Sequence, residues 1–277
     1  MARGRPPGIV MGDTTIPTER RTPVQERRPG WLGPAALFLT ATVMASGLML
    51  VVQPLTGLPG EVLELVQFGP AVGVAVVALV RPSQVRGLLT AGGARGPRGA
   101  VLLSALAIIA VAVAGSLLLH GSVPVRDPNG LVAPFWVVAV AQFVGACGEE
   151  IGWRCFLQPL LRTRFGPLGS SVAVGLLWGC WHLQIFAAAP AYAAGFLAAT
   201  TAMSVLLGLA WERIGAHRLL VAGGFHTLVN LGMLLFLDEE SGAVEPMVLF
   251  GVAGVLVALP WVLAALRPAR TDRLATT

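Results

Sequence analysis

The sequence predicts an all-α protein, a polytopic membrane helix bundle with about eight transmembrane helices. Two observations support this fold class. Of the 277 residues, 55% are hydrophobic and only 12% are charged, a composition outside the range of soluble globular domains. The apolar residues form continuous runs and do not alternate with polar ones, so backbone hydrogen bonds must close within helices and not between strands of a barrel. The chain is therefore expected in the cell membrane as a multi-pass protein.

Eight apolar stretches are predicted as spans, and nearly all reach the roughly 20 residues that a spanning helix needs. In chain order they cover residues 31–55, 62–80, 99–120, 131–160, 169–187, 191–212, 219–237 and 246–266. The fourth and fifth stretches carry glycines three or four residues apart: Gly145, Gly148, Gly152, Gly175 and Gly179. Such spacing lets helix backbones approach closely, so tight packing is predicted around these two stretches.

The basic residues predict the orientation of the chain. All 19 are arginines, and apart from Arg126 and Arg154 they flank the same side of the predicted spans, which places both termini in the cytoplasm. The Arg- and Pro-rich residues 1–30 are predicted to be a disordered cytoplasmic tail, 31–266 one transmembrane domain and 267–277 a second tail. The lipid bilayer is the expected partner. Nucleic acid is not, because the arginines flank spans and form no single patch.

Three charged residues at the end of an apolar run are the first candidate functional residues. Glu149, Glu150 and Arg154 lie near the end of the fourth stretch, where each charge costs at least ~2.5 kcal/mol, so a functional role is predicted. Glu150 and Arg154, four residues apart, share one helical face. Glu149 is rotated by about 100° from Glu150. One carboxylate can therefore pair with Arg154 while the other faces the bundle interior.

Two histidines and an amide complete the candidate set. His182 lies on the fifth stretch, and His226 and Asn230 lie four residues apart on the seventh, so that they share one face. Counting residues from the span ends places these groups and the glutamates at compatible depths in the inner half of the bilayer. Each residue alone is also compatible with an interhelical hydrogen bond, but their combination at one depth favours a site.

These residue types together predict hydrolysis of an amide by activated water. A carboxylate in an apolar pocket is suited to accept a proton from water, and a neutral imidazole can orient that water. A second imidazole and an amide can donate hydrogen bonds to the oxyanion. The alternative is a divalent metal such as zinc, bound by Glu149 or Glu150 together with His182 and His226. A metal-free glutamate mechanism is preferred, because the sequence has no His-Glu-x-x-His helix. Both mechanisms, with and without a metal cofactor, are kept as alternatives.

Three motifs, in order on separate predicted spans, resemble a known family. Glu149-Glu150-x-x-x-Arg154, Trp178-x-x-x-His182 and His226-x-x-x-Asn230 are similar to the motifs of the CPBP family, the CAAX prenyl protease type 2 and bacteriocin-processing (Abi) intramembrane proteases. The resemblance covers about residues 131–237, and the family commonly has Phe at the position of Trp178.

The resemblance implies a metalloprotease-like, eight-helix endopeptidase. In it Glu149 would activate water with help from His182. His226 and Asn230 would hold the oxyanion, while Glu150 and Arg154 would support the geometry. The implied partner is a peptide or protein substrate, lipidated or membrane-bound in some relatives, which the sequence does not identify.

Two other functions fit the same residues. In a non-catalytic membrane scaffold or bacteriocin self-immunity protein, the polar cluster would only hold helices together. A proton-coupled transporter would use the acids and histidines as a relay, but transporters usually contain two repeated halves, and none is found in this sequence. The peptidase is therefore the preferred hypothesis.

Overall fold

The computed structural model describes residues 1, 30–90, 96–211, 217–237 and 242–267. The chain divides into two units, Met1–Gly30 and Trp31–Thr277, of which the first is described only at its two ends. Both predicted tails fall almost wholly outside the described residues.

The described part of the second unit consists of helices joined by short connections and contains no strand, which confirms the all-α class. The α-helices are α1 Leu32–Thr56, α2 Gly69–Val80, α3 Pro82–Thr90, α4 Arg98–His120, α5 Phe135–Glu150, α6 Gln158–Trp181, α7 Pro190–Trp211, α8 Arg218–Phe236 and α9 Val244–Leu266. Shorter segments are the 3-10 helices Leu65–Phe68, Pro128–Gly130 and Leu183–Ala187 and the π-helix Ile151–Leu157.

Six helical stretches in the described residues are long and apolar enough to cross a membrane. One of them, Phe135–Trp181, has 47 residues and folds back on itself near Gly166, where φ is 69°. The evidence for this reversal is a hydrogen bond of 2.9 Å from Gln158 Nε2 to Ser171 Oγ, on the two sides of Gly166. In a straight helix these residues would lie about 20 Å apart. Counting this stretch as two passes and adding the shorter apolar helix Leu65–Val80 gives the eight passes that the sequence predicts.

Two boundaries differ from the prediction. Helix α3 lies between the second and third predicted stretches, where no span is predicted, and the α-helix of the fifth pass ends at Trp181 and not at residue 187. The α-helix stops because His182 has non-helical angles, φ −78° and ψ 70°, and a 3-10 turn follows before Pro190. His182 is therefore at the end of a helix, where its backbone departs from the helix axis, and not inside a regular span.

Close packing around the predicted glycines is confirmed. Helix α1 packs against α2, α8 packs against both α4 and α5, and α7 packs against both α6 and α9. A Cβ atom at Gly175 would lie 2.5 Å from Thr201 Cα of α7, and one at Gly152 would lie 2.4 Å from Pro70 Cβ of α2. Side chains at these positions would push the helices apart, so glycine is what allows the helices that bear the polar motifs to meet their neighbours.

Candidate active site

The fourth pass changes from α-helix to π-helix directly after the glutamate pair. Helix α5 ends at Glu150, and the π-helix Ile151–Leu157 contains Arg154. Insertions of π-helix are uncommon and occur frequently at functional sites. Glu149 is 2% exposed, and Glu150 and Arg154 are fully buried. Three buried ionisable side chains thus lie at the junction between this α-helix and the π-helix.

Glu150 contacts two basic side chains, Arg154 of the π-helix and His226 of α8. Its Oε2 lies 3.4 Å from Arg154 Nε, and its Oε1 lies 3.1 Å from His226 Nδ1 of α8. Because a carboxylate oxygen accepts, His226 Nδ1 must carry the hydrogen of this bond. The sequence-predicted pairing of Glu150 with Arg154 is present, and the structure adds His226 as the second partner of the same carboxylate.

The other carboxylate, that of Glu149, is held by two neutral donors. The indole Nε1 of Trp178 on α6 donates to Glu149 Oε2 at 2.7 Å. The amide Nε2 of Gln67, from the 3-10 helix before α2, donates to Glu149 Oε1 at 3.4 Å. As the sequence predicts, the two adjacent glutamates have separate surroundings: one carboxylate faces Arg154 and His226, and the other faces donors from two neighbouring passes.

His182 is half-buried, and its tautomer follows from its backbone contact. The ring Nδ1 lies 2.9 Å from the carbonyl oxygen of Trp178. A carbonyl can only accept, so Nδ1 carries the hydrogen and Nε2 of the neutral ring presents a lone pair. The rings of Trp181 and Phe196 lie 4.8 Å from the imidazole, centroid to centroid. His182 therefore offers one acceptor inside an aromatic enclosure.

Trp178 contacts four of the six predicted site residues. Besides bonding to Glu149 and, through its carbonyl, to His182, it lies beneath Arg154, whose guanidinium carbon is 4.6 Å from the indole centroid. The His226 ring meets the indole edge to face at 5.1 Å. Four of the predicted residues thus contact Trp178, which brings α5, the π-helix, α6 and α8 together.

Asn230 is the predicted residue that the structure places in a different network. Its Nδ2 donates to Gln142 Oε1 of α5 at 3.1 Å, and Gln142 Nε2 donates to the backbone oxygen of Glu61 at 3.5 Å. Asn230 lies one helical turn from His226 on α8. The contacts found for it lead away from the glutamates toward the loop after α1.

The candidate metal ligands do not form a metal-binding cluster in this arrangement. Across the described ranges, no group of three or more His, Cys, Asp or Glu side chains is placed to hold an ion. Glu149 is directed toward Trp178 and Gln67, while Glu150 is directed toward Arg154 and His226. Since structural and catalytic zinc sites use at least three protein ligands, this geometry does not fit the metal alternative.

Sequence reasoning missed two glutamines that touch the predicted site residues. Gln67 and Gln142 are polar residues within predicted spans, at a depth where an unpaired amide is costly. That signal was present in the sequence. The sequence gives no signal for the partners of these glutamines, because contacts between passes far apart in the chain depend on tertiary packing.

In comparison with known proteins, residues 131–232 match the model of a family described as Type II CAAX prenyl endopeptidase Rce1-like. CAAX prenyl protease 2 of Methanococcus maripaludis is 25% identical over 173 residues, which make up 57% of this chain and 63% of that protein. Lysostaphin resistance protein A of Staphylococcus aureus is 23% identical over 138 residues, 48% of this chain and 32% of that protein. The chain thus spans less than two thirds of either relative. These matches confirm the resemblance to the CPBP family and support a protease-type enzyme at the level of the family.

Proposed function

We propose, from the membership of the CPBP family that these matches support, that the protein is an intramembrane endopeptidase that hydrolyses a peptide bond with water activated by Glu149. The observation that carries the proposal is the convergence of Glu149, His182, His226 and Arg154 on Trp178 inside a membrane bundle. Buried acids and imidazoles collected at one point favour catalysis over four unrelated interhelical contacts.

Glu149 is the proposed general base. Each carboxylate oxygen has about two acceptor positions, so Oε1, which receives only the 3.4 Å contact from Gln67, retains one for a water molecule. The Nε2 lone pair of His182 would accept the second hydrogen of that water and orient its oxygen toward the substrate carbonyl. The water oxygen bonds to the carbonyl carbon while its proton passes to Glu149. Glu149 then returns the proton to the amine that leaves as the carbon–nitrogen bond breaks.

His226 and Asn230 are the proposed oxyanion donors. Since His226 Nδ1 already donates to Glu150, a second donor at Nε2 requires an imidazolium, whose charge the Glu150 carboxylate would balance. One hydrogen of the Asn230 amide bonds to Gln142, and the other is available to the oxyanion. Donors placed before the reaction in a site without bulk water stabilise such an oxyanion most effectively.

Glu150 and Arg154 are proposed to support this arrangement without contacting the reacting atoms. Arg154 balances Glu150, and Glu150 fixes the orientation of the His226 ring. The substrate is proposed to be a peptide that enters from the cytoplasmic side or laterally from the lipid. A prenylated carboxyl-terminal peptide is the first class to test, because the matched family is described by that activity.

The proposal is tested with purified protein in detergent and a fluorescence-quenched CAAX peptide in farnesylated and unprenylated forms. Glu149→Gln, which removes the base but keeps a hydrogen-bond acceptor, is expected to abolish cleavage. Glu245→Gln, a half-exposed acid at the start of α9, is the matched control and should retain full activity. Mass spectrometry of the products identifies the bond cut. Because the geometry does not fit a metal, EDTA should leave the rate unchanged; a loss restored by adding zinc would contradict the metal-free mechanism.

A non-catalytic scaffold is the second candidate, and one observation favours it. Glu149 is 2% exposed and both of its oxygens already receive protein donors, so the carboxylate is satisfied without substrate. A scaffold would keep its cellular phenotype in the Glu149→Gln variant, whereas a peptidase would lose it. Comparing the membrane proteomes of cells with either form separates the two candidates and identifies natural substrates.

A further inference from the structure

We propose that Trp178 is a positioning residue of the hydrolytic site, whose indole N–H fixes the carboxylate of Glu149 and keeps it apart from Arg154. This inference deepens the proposed function and rests on it. In the sequence, Trp178 stands out only as the aromatic residue of the motif Trp178-x-x-x-His182. The structure gives its polar atom a specific partner, the carboxylate proposed as general base.

The indole hydrogen bond is the stronger of the two that hold Glu149. Its length is 2.7 Å, against 3.4 Å for the bond from Gln67, and both Trp178 and Glu149 are buried. Hydrogen bonds to a charged acceptor are stronger than those between neutral groups, and more so where water is excluded. Losing the indole donor would leave the carboxylate held only by the longer bond from Gln67, which restrains rotation about its last side-chain bond less.

Arg154 is the group that would capture a released carboxylate. Its guanidinium lies on the face of the same indole that binds Glu149 at its edge. None of its three buried nitrogens has a well-directed acceptor among the described residues. The Glu150 contact of 3.4 Å is an ion pair and does not meet the geometry of a hydrogen bond. A carboxylate that turned to Arg154 would no longer be placed to accept a proton from water.

Substitution of Trp178 by phenylalanine separates the aromatic contact of this side chain from its hydrogen-bond donor. Trp178→Phe keeps an aromatic ring against Arg154 but removes the N–H that binds Glu149, whereas Trp178→Leu removes both. Positioning acts on the chemical step and not on substrate binding, so kcat should fall while KM stays within about twofold. For a hydrogen bond to a charged group, the expected loss in kcat is about 10- to 100-fold for Phe, and larger for Leu.

A matched control is available on α9. Trp261 also donates its indole N–H across a helix interface, to Ser104 Oγ at 3.2 Å, away from the glutamates. Trp261→Phe removes the same kind of bond and should leave kcat unchanged with the quenched CAAX peptide as substrate. Circular dichroism and thermal unfolding verify that each variant is folded. A Trp178→Phe enzyme with wild-type kcat, or with a changed KM alone, overturns the proposal.

A second measurement does not depend on activity. In protein labelled with 15N-tryptophan, the Trp178 indole N–H resonance is identified by its absence in Trp178→Phe. It should move upfield in Glu149→Ala, as expected for an indole that has lost a carboxylate acceptor, and stay in place in Glu245→Gln. An unmoved resonance overturns the inference. A moved resonance in a protein that cleaves no peptide would refute the proposed function alone.

Discussion

The buried pair of Glu150 and Arg154 makes a quantitative prediction about stability. Their charged atoms are 3.4 Å apart and both side chains are fully buried, so at an effective dielectric constant of about 20 their attraction is about 5 kcal/mol. Removing one partner leaves an uncompensated charge inside the bundle, which typically costs about 3–5 kcal/mol. Glu150→Gln keeps an acceptor for His226 and removes only the charge. Arg154→Met removes the matching cation at similar length.

We expect each single variant to lower the free energy of unfolding by about 3–5 kcal/mol. The double variant should lose much less than the sum of the two, with a coupling energy of at least about 2 kcal/mol, because it removes both charges of this pair together. Reversible unfolding in mixed micelles, followed by circular dichroism, gives the four free energies of the cycle.

The pair of His120 and Glu245 supplies the control cycle. Their side chains are 50% and 48% exposed at the ends of α4 and α9, so their coupling should stay under about 1 kcal/mol. Losses for Glu150→Gln and Arg154→Met that add within about 0.5 kcal/mol would refute the reasoning, since additivity is the behaviour of independent sites.

Two further predictions concern the second polar network and the helix packing. Gln142→Leu removes the acceptor that holds Asn230, so kcat on the quenched peptide should fall about 10-fold with unchanged helix content. An unaffected rate would contradict the proposal that Asn230 is an oxyanion donor. Gly175→Val places atoms against the α7 backbone at Thr201 and should destabilise the protein by at least about 1–3 kcal/mol in the micelle assay. Gly47→Val, with open space around it, should cost less than about 0.5 kcal/mol, and equal losses for both would contradict the packing account.

The passes could be predicted from sequence because lipid imposes a length and an apolar composition on every spanning helix. Apolar length and composition do not predict the irregular parts of the fold. Neither α3 nor the π-helix Ile151–Leu157 has a hydropathy signal of its own, and the early end of α6 depends on the backbone angles of His182. Orientation relative to the cytoplasm stays a prediction from the arginines.

The candidate site was predictable within each helix but not between helices. Spacing of four residues correctly paired Glu150 with Arg154, since one helix fixes that geometry. The partners of Glu149 come from two other passes, Gln67 more than 80 positions away in sequence, which no local pattern encodes. Asn230 shows the converse. It shares a face of α8 with His226 and both bond to α5, but Asn230 lies one turn farther along α8 and bonds to Gln142, about two turns of α5 away from Glu150.

The central claim is that a peptide bond is hydrolysed where Glu149, His182 and His226 meet around Trp178. A structure of the Glu149→Gln variant with an uncleaved CAAX peptide, determined by electron cryomicroscopy in a nanodisc, tests it most directly. We predict the scissile carbonyl carbon about one water molecule from the side chain of residue 149, with its oxygen directed toward His226. A peptide seated elsewhere on the bundle, with this cluster still closed around Trp178, would contradict the account.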